Sequence, residues 1–107
     1  MKLRNLRTIL PAFLLLLLPA VTLAQGPGAE VYRRECVHCH GADGMAQTGL
    51  GRSLKVKPIT DPAVKGMSLD AMLEATRNGM GKMQPYKANL TDAQIRASVL
   101  YFRSFIK

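Results

Sequence analysis

The segment Cys36-Val37-His38-Cys39-His40 contains both cysteines of this 107-residue chain. On a helical turn, residues at i and i+3 project to the same side, so the two thiols can reach one edge of a porphyrin. The C-x-x-C-H spacing is typical of haem that is attached through two thioethers and ligated by the histidine that follows. This segment, here called the haem motif, therefore predicts that Cys36 and Cys39 bind one haem c and that His40 ligates its iron.

Three other interpretations of the haem motif explain its residues less well. A thioredoxin-like redox pair is expected beside a βαβ pattern, which this chain lacks, and it would give His40 no role. Structural zinc is usually held by two separated pairs of ligands, whereas the candidates here are adjacent. His38 occupies a variable position of the motif and points away from the cysteines, so we expect it at the surface.

The N-terminal part of the chain has the three parts of a secretory signal peptide. The basic residues that open it are Lys2, Arg4 and Arg7. An apolar run over residues 9–18 and a small-residue segment over residues 22–24 follow, which predicts cleavage before Gln25. An uncleaved membrane anchor is the alternative. Pro11 and Pro19, however, leave the apolar run shorter than the roughly 20 residues that a spanning helix needs.

Cleavage would divide the chain into a signal peptide, residues 1–24, and one domain, residues 25–107, exported to a periplasm or a similar compartment. The domain has 83 residues and no Trp, so it buries little apolar surface and needs a covalent cross-link or a bound cofactor for stability. Its twelve Lys/Arg against seven Asp/Glu give a formal net charge of +5. These charges form no cluster and no nucleic-acid motif, which indicates acidic protein partners, or general solubility, rather than nucleic acid. We expect a monomer without a membrane span.

The second axial ligand of the iron must come from elsewhere in the chain. In haem electron carriers it is usually Met or His, and Met raises the reduction potential. The methionines that follow the haem motif are Met45, Met67, Met72, Met80 and Met83. Met45 lies in a turn-rich segment just after His40, so it would have to wrap around the haem to reach the far face.

Two of the remaining methionines are better explained as core residues. Ser68 can cap a helix over residues 69–78, which Gly79 would end. In that register Met67 and Met72 are the two members of a hydrophobic staple. We therefore expect both side chains in the core.

Met80 and Met83 lie in residues 79–86, here called the strap. Glycines free its backbone and Pro85 stiffens it, as a segment presenting a ligand requires. The residues of the strap alone do not choose between Met80 and Met83.

The last helix has the clearest start signal in the chain. Thr91 and Gln94 form a capping box, and Leu90 and Ile95 form a second staple, so a helix should run from there to about Phe105. Its core-facing positions are Ile95, Ser98, Val99, Phe102, Phe105 and Ile106. Its solvent-facing positions are Arg96, Arg103 and Lys107. This stripe predicts packing on a core, not a membrane-spanning helix.

The first part of the domain predicts one more helix and a long loop. A helix from about Ala29 puts Tyr32 on the same side as the two cysteines. Nothing in the sequence indicates a strand. The glycine-rich residues 41–67 would be unusual as unstructured chain in a compact domain, and wrapping a haem would account for them.

Together these features resemble the class I cytochrome c family over residues 28–105. Beyond the haem motif, the resemblance is carried by Gly28, Tyr32, the run Gly51-Arg52-Ser53-Leu54, Asn78, the strap and the aromatic final helix. It implies an all-α fold of three to five helices around one covalent haem c, with the first and last helices crossing. It also implies that His40 and Met83 ligate the iron. Met83 is chosen because it precedes the Pro85-Tyr86 pair, and Met80 is the runner-up.

Two positions depart from the usual pattern of that family. Gln84 stands where many relatives have a proline directly after the axial methionine, which keeps Met80 open beside Met83. Arg52 stands where many relatives have a proline whose carbonyl orients the axial histidine, so the acceptor for His40 is open. We hypothesise that Arg52 neutralises a haem propionate instead.

The function implied is that of a carrier that shuttles single electrons between redox partners, with no catalytic residues of its own. Met ligation predicts a positive reduction potential. The lysines expected near the haem edge are Lys55, Lys57, Lys82 and Lys87, and they predict docking on acidic partners that weakens with salt. The alternatives are a haem module that binds a gas in place of Met83 and an electron-entry subunit of a larger oxidoreductase. A peroxidase is the weakest alternative, because no distal acid-base histidine is present.

Overall fold

The computed structural model describes residues 16–17 and 26–107. The predicted signal peptide and its cleavage site therefore lie, apart from two residues, outside the described part. The helices of residues 26–107 are α1 Pro27–Glu35, α2 Val37–His40, α3 Gly49–Ser53, α4 Pro62–Lys65, α5 Leu69–Asn78 and α6 Asp92–Arg103. No helix among the described residues is long and apolar enough to span a membrane.

The all-α prediction is confirmed for the described residues, whose only β pairing is an isolated bridge between Met80 and Met83. The described residues contain six helices rather than three to five. One cause is a break at Cys36, where φ is −112° and ψ is −32°, which separates α1 from α2. The other is that residues 41–67 contain two short helices. Thr48 caps α3 and Asp61 caps α4 through side-chain hydrogen bonds to backbone N–H groups.

Helices α1 and α6 make the main packing contact of the fold, as the resemblance implied. A Cβ atom on Gly28 would collide with the carbonyl oxygen of Ala97 and lie 2.8 Å from its carbonyl carbon. Only glycine therefore allows the two backbones to approach this closely. Tyr32 is buried at the same contact, with its ring centroid 5.3 Å from that of Tyr101 and 5.6 Å from that of Phe105.

Helix α5 begins and ends where its signals predict. The Ser68 hydroxyl accepts a hydrogen bond from the Ala71 N–H at 3.1 Å, and Gly79 follows the last turn with φ +80°. Met67 packs against the buried cluster that contains Met72, as the staple predicts. The members of that cluster are Val31, Met72, Leu73, Leu90, Ile95 and Val99.

Helix α6 begins with the predicted capping box of Thr91 and Gln94, in which each side chain bonds the other residue's N–H at 2.9–3.1 Å. It ends at Arg103, two residues earlier than expected. The N–H of Ser104 lies within reach of the carbonyls of Leu100, Tyr101 and Phe102, so the final turn tightens there. The helix still places Phe102 beside the haem motif.

Candidate functional site

A cavity of about 520 Å³ lies among the helices and the strap, within the usual size range of ligand pockets. Tyr32, Cys36 and His40 from α1 and the haem motif form one wall. Further lining residues are Leu54–Lys57 after α3, Val64 and Met67, Met72 and Ala75 from α5, Met80–Met83 from the strap, and Ser98, Val99 and Phe102 from α6. Most of these side chains are apolar, so the cavity suits a large apolar group.

His40 lies at the end of α2 and lines this cavity. Its ring centroid is 5.0 Å from that of Phe102. Burial lowers the pKa of His40, which favours the neutral imidazole that a metal binds. Its Nδ1 atom is the one buried side-chain nitrogen or oxygen of the described residues without a hydrogen-bond partner. No described residue therefore accepts a hydrogen bond from Nδ1, so the acceptor that the sequence left open for His40 is not found among them.

Cys36 and Cys39 are free, half-buried thiols. Cys36 lines the main cavity and a second cavity of about 280 Å³, and Cys39 lines only the second. His40 and Met83 line both cavities. Burial, followed by the nearby Glu35 carboxylate and Cys39, raises the pKa of Cys36 to about 11, so its thiol is protonated at neutral pH. His38 is exposed, as expected.

The strap brings Met80 and Met83 side by side at the cavity. Met80 N–H donates to Met83 O at 3.1 Å, and Met83 N–H donates to Met80 O at 2.9 Å. Gly81 provides the positive φ, +58°, at the first of the two turn residues between them. The two side chains differ in exposure, because Met80 is 58% exposed whereas Met83 is half-buried.

Met67 and Met72 also line the cavity, although the sequence assigned them only to the core. The Sδ atom of Met72 accepts a hydrogen bond from Nη1 of Arg103 at 3.6 Å, and the same Nη1 donates to Met67 O at 2.9 Å. The prediction that Arg103 faces solvent was therefore wrong, because its guanidinium contacts Met72 in α5 and Met67, which precedes the N-cap of α5. Met45 lines neither cavity, and its Sδ accepts from the Thr60 hydroxyl at 4.0 Å.

Two tyrosine hydroxyls hold the backbone on either side of the haem motif. The buried Tyr32 hydroxyl donates to Gly41 O at 2.6 Å, and the Tyr86 hydroxyl donates to Glu35 O at 3.2 Å. Gln84 Nε2 in turn donates to the Tyr86 hydroxyl at 3.2 Å. Burial raises the pKa of Tyr86, and the Gln84 hydrogen bond opposes that shift. Sequence reasoning missed these roles, although Pro85-Tyr86 was part of the resemblance.

Three of the four predicted lysines lie at the cavity. Lys55, Lys57 and Lys82 are exposed residues that also line it, and Lys55 has the left-handed φ of +55°. Lys87 instead bonds Asn78 Oδ1 through its Nζ at 3.1 Å. Arg52 is exposed and lines neither cavity, so nothing in its position supports the hypothesis that it neutralises a haem propionate.

The arrangement fits a haem c group. The haem motif supplies two thiols and an imidazole whose lowered pKa favours its neutral form, and the strap supplies a half-buried thioether at the same cavity. Thiol, imidazole and thioether are the side chains that hold haem iron and its porphyrin in c-type proteins. The fold and these side chains define a small class I c-type cytochrome.

Comparison with known proteins identifies the family. A family model described as "Cytochrome C oxidase, cbb3-type, subunit III" matches residues 24–102, and the chain belongs to this cytochrome c family. Cytochrome c6 of Leptolyngbya boryana is 32% identical over 74 residues, which are 69% of this chain and 84% of that protein. Membership of the family implies covalently bound haem c and a role in electron transfer.

Two solved structures extend the similarity to three dimensions. The KustC0563 c-type cytochrome superposes with a TM-score of 0.67 at 32% identity, covering 75% of this chain and 98% of that one. A chain of the Kuenenia stuttgartiensis reducing HAO-like protein complex Kustc0457/Kustc0458 superposes with a TM-score of 0.61 at 25% identity, covering 74% of this chain and 41% of that one. The second match shows the same fold inside a larger assembly.

Proposed function

We propose that this protein is an exported monohaem c-type cytochrome that shuttles single electrons between redox partners. The observation that carries the proposal is the meeting of Cys36, His40 and Met83 at one largely apolar cavity. Family membership supports electron transfer. The haem, when bound, supplies the one-electron exchange between ferric and ferrous iron, and the chain supplies its attachment, insulation and tuning.

Each site residue has one proposed role. Cys36 and Cys39 would form the two thioethers with the haem, and His40 and Met83 would ligate its iron. Met83 is favoured over the runner-up Met80 because its side chain is half-buried at both cavities, whereas Met80 is 58% exposed. The thioether favours ferrous iron and the apolar lining keeps water out, so a positive reduction potential is expected.

The partners we propose are redox proteins with acidic docking surfaces. Lys55, Lys57 and Lys82 put three positive charges at the cavity, where an electron would leave or enter. Exposed Met80 adds an apolar contact beside them. Complementary charge mainly accelerates the encounter, which salt then slows.

We further propose that the chain is exported across a membrane and processed. Residues 1–24 are a cleaved signal peptide, and residues 25–107 form a monomeric domain in the periplasm or a similar compartment. Mass spectrometry of the exported protein checks the first point, because a chain that begins at Gln25 supports cleavage and a retained Met1 contradicts it.

A second candidate function is that of an electron-entry subunit in a larger oxidoreductase. The description of the family model and the Kuenenia stuttgartiensis complex favour it. Haem staining of a native gel separates the two candidates. A free carrier gives a haem band at the size of one chain, and a subunit gives a band at the size of the assembly.

The carrier proposal is tested by the kinetics of electron transfer to an acidic blue-copper protein. Between about 0.01 M and 1 M ionic strength the Debye length falls from about 30 Å to about 3 Å, and the rate is expected to fall by about tenfold. Replacing Lys55, Lys57 and Lys82 by Gln should remove most of this dependence. The matched control replaces Arg33, Lys65 and Arg96, which line neither cavity, by Gln. Docking at the cavity would be contradicted if the two triple variants changed the salt dependence equally, or if the rate did not change with ionic strength.

A further inference from the structure

The strap is fastened to α5 by its backbone at both ends. It begins directly after Asn78, the last residue of α5. At its far end, Tyr86 N–H donates to Thr76 O at 3.0 Å and Lys87 N–H donates to Arg77 O at 3.2 Å. These bonds satisfy carbonyls in the last turn of α5 that the helix itself leaves unpaired. These backbone hydrogen bonds therefore fix the strap to α5, and no described backbone hydrogen bond joins the strap to the haem motif.

A single hydrogen bond among the described residues links the strap to the segment that carries His40. It runs from the Tyr86 hydroxyl to Glu35 O at 3.2 Å, and Glu35 is the last residue of α1, directly before Cys36. All other hydrogen bonds of the strap in the described chain stay within it or go to residues 76, 89 and 90. The Tyr86 hydroxyl is thus placed to fix the strap relative to the haem motif.

Gln84 holds that hydroxyl in the donating orientation. Its Nε2 donates to the phenol oxygen at 3.2 Å, so the hydroxyl accepts one bond while it donates the other. Such chains of hydrogen bonds reinforce each other. Gln84 directly follows Met83, and a proline at this position would have no side-chain donor for Tyr86.

We infer that Tyr86 and Gln84, here called the clamp, are positioning residues that hold the strap against the haem motif and so set how strongly the strap's thioether binds the iron. The inference rests on the proposed function, in which a strap methionine is the axial ligand. Opening of the clamp would let an external ligand reach the ferric iron. The affinity of ferric holoprotein for added imidazole therefore reports how readily the clamp opens.

The test measures imidazole binding by absorbance in haem-loaded ferric protein carrying Tyr86→Phe, Gln84→Ala or both. Tyr86→Phe keeps the ring packing and is expected to tighten imidazole binding about fivefold, about 1 kcal/mol, the usual net worth of one hydrogen bond. Gln84→Ala should tighten it about twofold. The double variant should match Tyr86→Phe, because Gln84 acts through the Tyr86 hydroxyl. Asn78→Ala, which removes the exposed bonds to Lys87 and Glu74, is the neutral control and should leave imidazole affinity unchanged.

Unchanged imidazole affinity in Tyr86→Phe overturns the inference, and so does a Gln84→Ala effect that adds in full to that of Tyr86→Phe. In Met83→Ala, the Tyr86→Phe substitution should have no further effect. An effect that is undiminished in both Met83→Ala and Met80→Ala would show that the hydroxyl acts without a strap ligand, which also overturns the inference. If the effect of Tyr86→Phe instead disappears only in Met80→Ala, the clamp stands and the assignment of Met83 fails.

Discussion

The haem motif and the strap form two walls of one cavity, yet they are built in different ways. The haem motif is held by several short bonds, from Tyr32 to Gly41 O at 2.6 Å, from Ala46 N–H to His40 O at 2.8 Å and from the Thr48 hydroxyl to His38 O at 2.6 Å. The strap reaches that segment through one described hydrogen bond, that of Tyr86. The comparison indicates that the haem motif is a rigid wall and the strap an adjustable one.

The largest expected effect falls beside the rigid wall, at the crossing of α6 with α1, the helix that leads into the haem motif. Gly28→Ala places a methyl group against the carbonyl of Ala97, so one helix must move. We expect the free energy of unfolding in urea to fall by about 3 kcal/mol. Gly49→Ala is the matched control, since nothing lies within 4 Å of its added Cβ. Equal stabilities of the two variants would contradict the close crossing.

The next effect falls on the adjustable wall, at the start of the strap. A Cβ atom on Gly79 would lie 2.8 Å from Met83 O, at a φ of +80°. Gly79→Ala should cost about 2 kcal/mol of stability and weaken the far-red charge-transfer band that reports sulfur on ferric iron. Gly81→Ala has a φ of +58° but open space, so it should show only the backbone cost of about 1 kcal/mol. A band unaffected by Gly79→Ala would show that the strap does not hold the ligand.

The smallest predicted change distinguishes the two tyrosines. Tyr32→Phe leaves the buried carbonyl of Gly41 without its donor, which should cost about 1.5 kcal/mol of stability. Because the haem motif keeps its other bonds, imidazole affinity should stay unchanged. Urea unfolding and imidazole titration of the same variant check both statements. Tighter imidazole binding in Tyr32→Phe would remove the distinction between the walls.

The sequence predicted the haem motif and the helices α5 and α6 well because their signals are local. Cys36, Cys39 and His40 lie within five consecutive residues, and the capping residues of α5 and of α6 each lie within four. Those signals act through bonds between near neighbours, so a pattern is sufficient to find them.

The adjustable wall and the surroundings of the site were less predictable because they depend on contacts between distant residues. Tyr86 meets Glu35 across 51 positions, and Arg103 folds onto Met67 across 36. The short helices α3 and α4 have five and four residues, which is too few for a repeating apolar pattern, and their caps were missed. Met80 and Met83 could not be separated by pattern, and their difference in burial is a tertiary property.

The central claim is that His40 and a strap methionine, Met83, hold the iron of one covalent haem. Its most direct test is the absorption spectrum of the oxidised and reduced holoprotein, recorded for the unmodified chain, Met80→Ala and Met83→Ala. We predict that the far-red charge-transfer band is present in the first two and absent in Met83→Ala. A band that is absent from the unmodified protein with high-spin iron, or lost in Met80→Ala but kept in Met83→Ala, would contradict it.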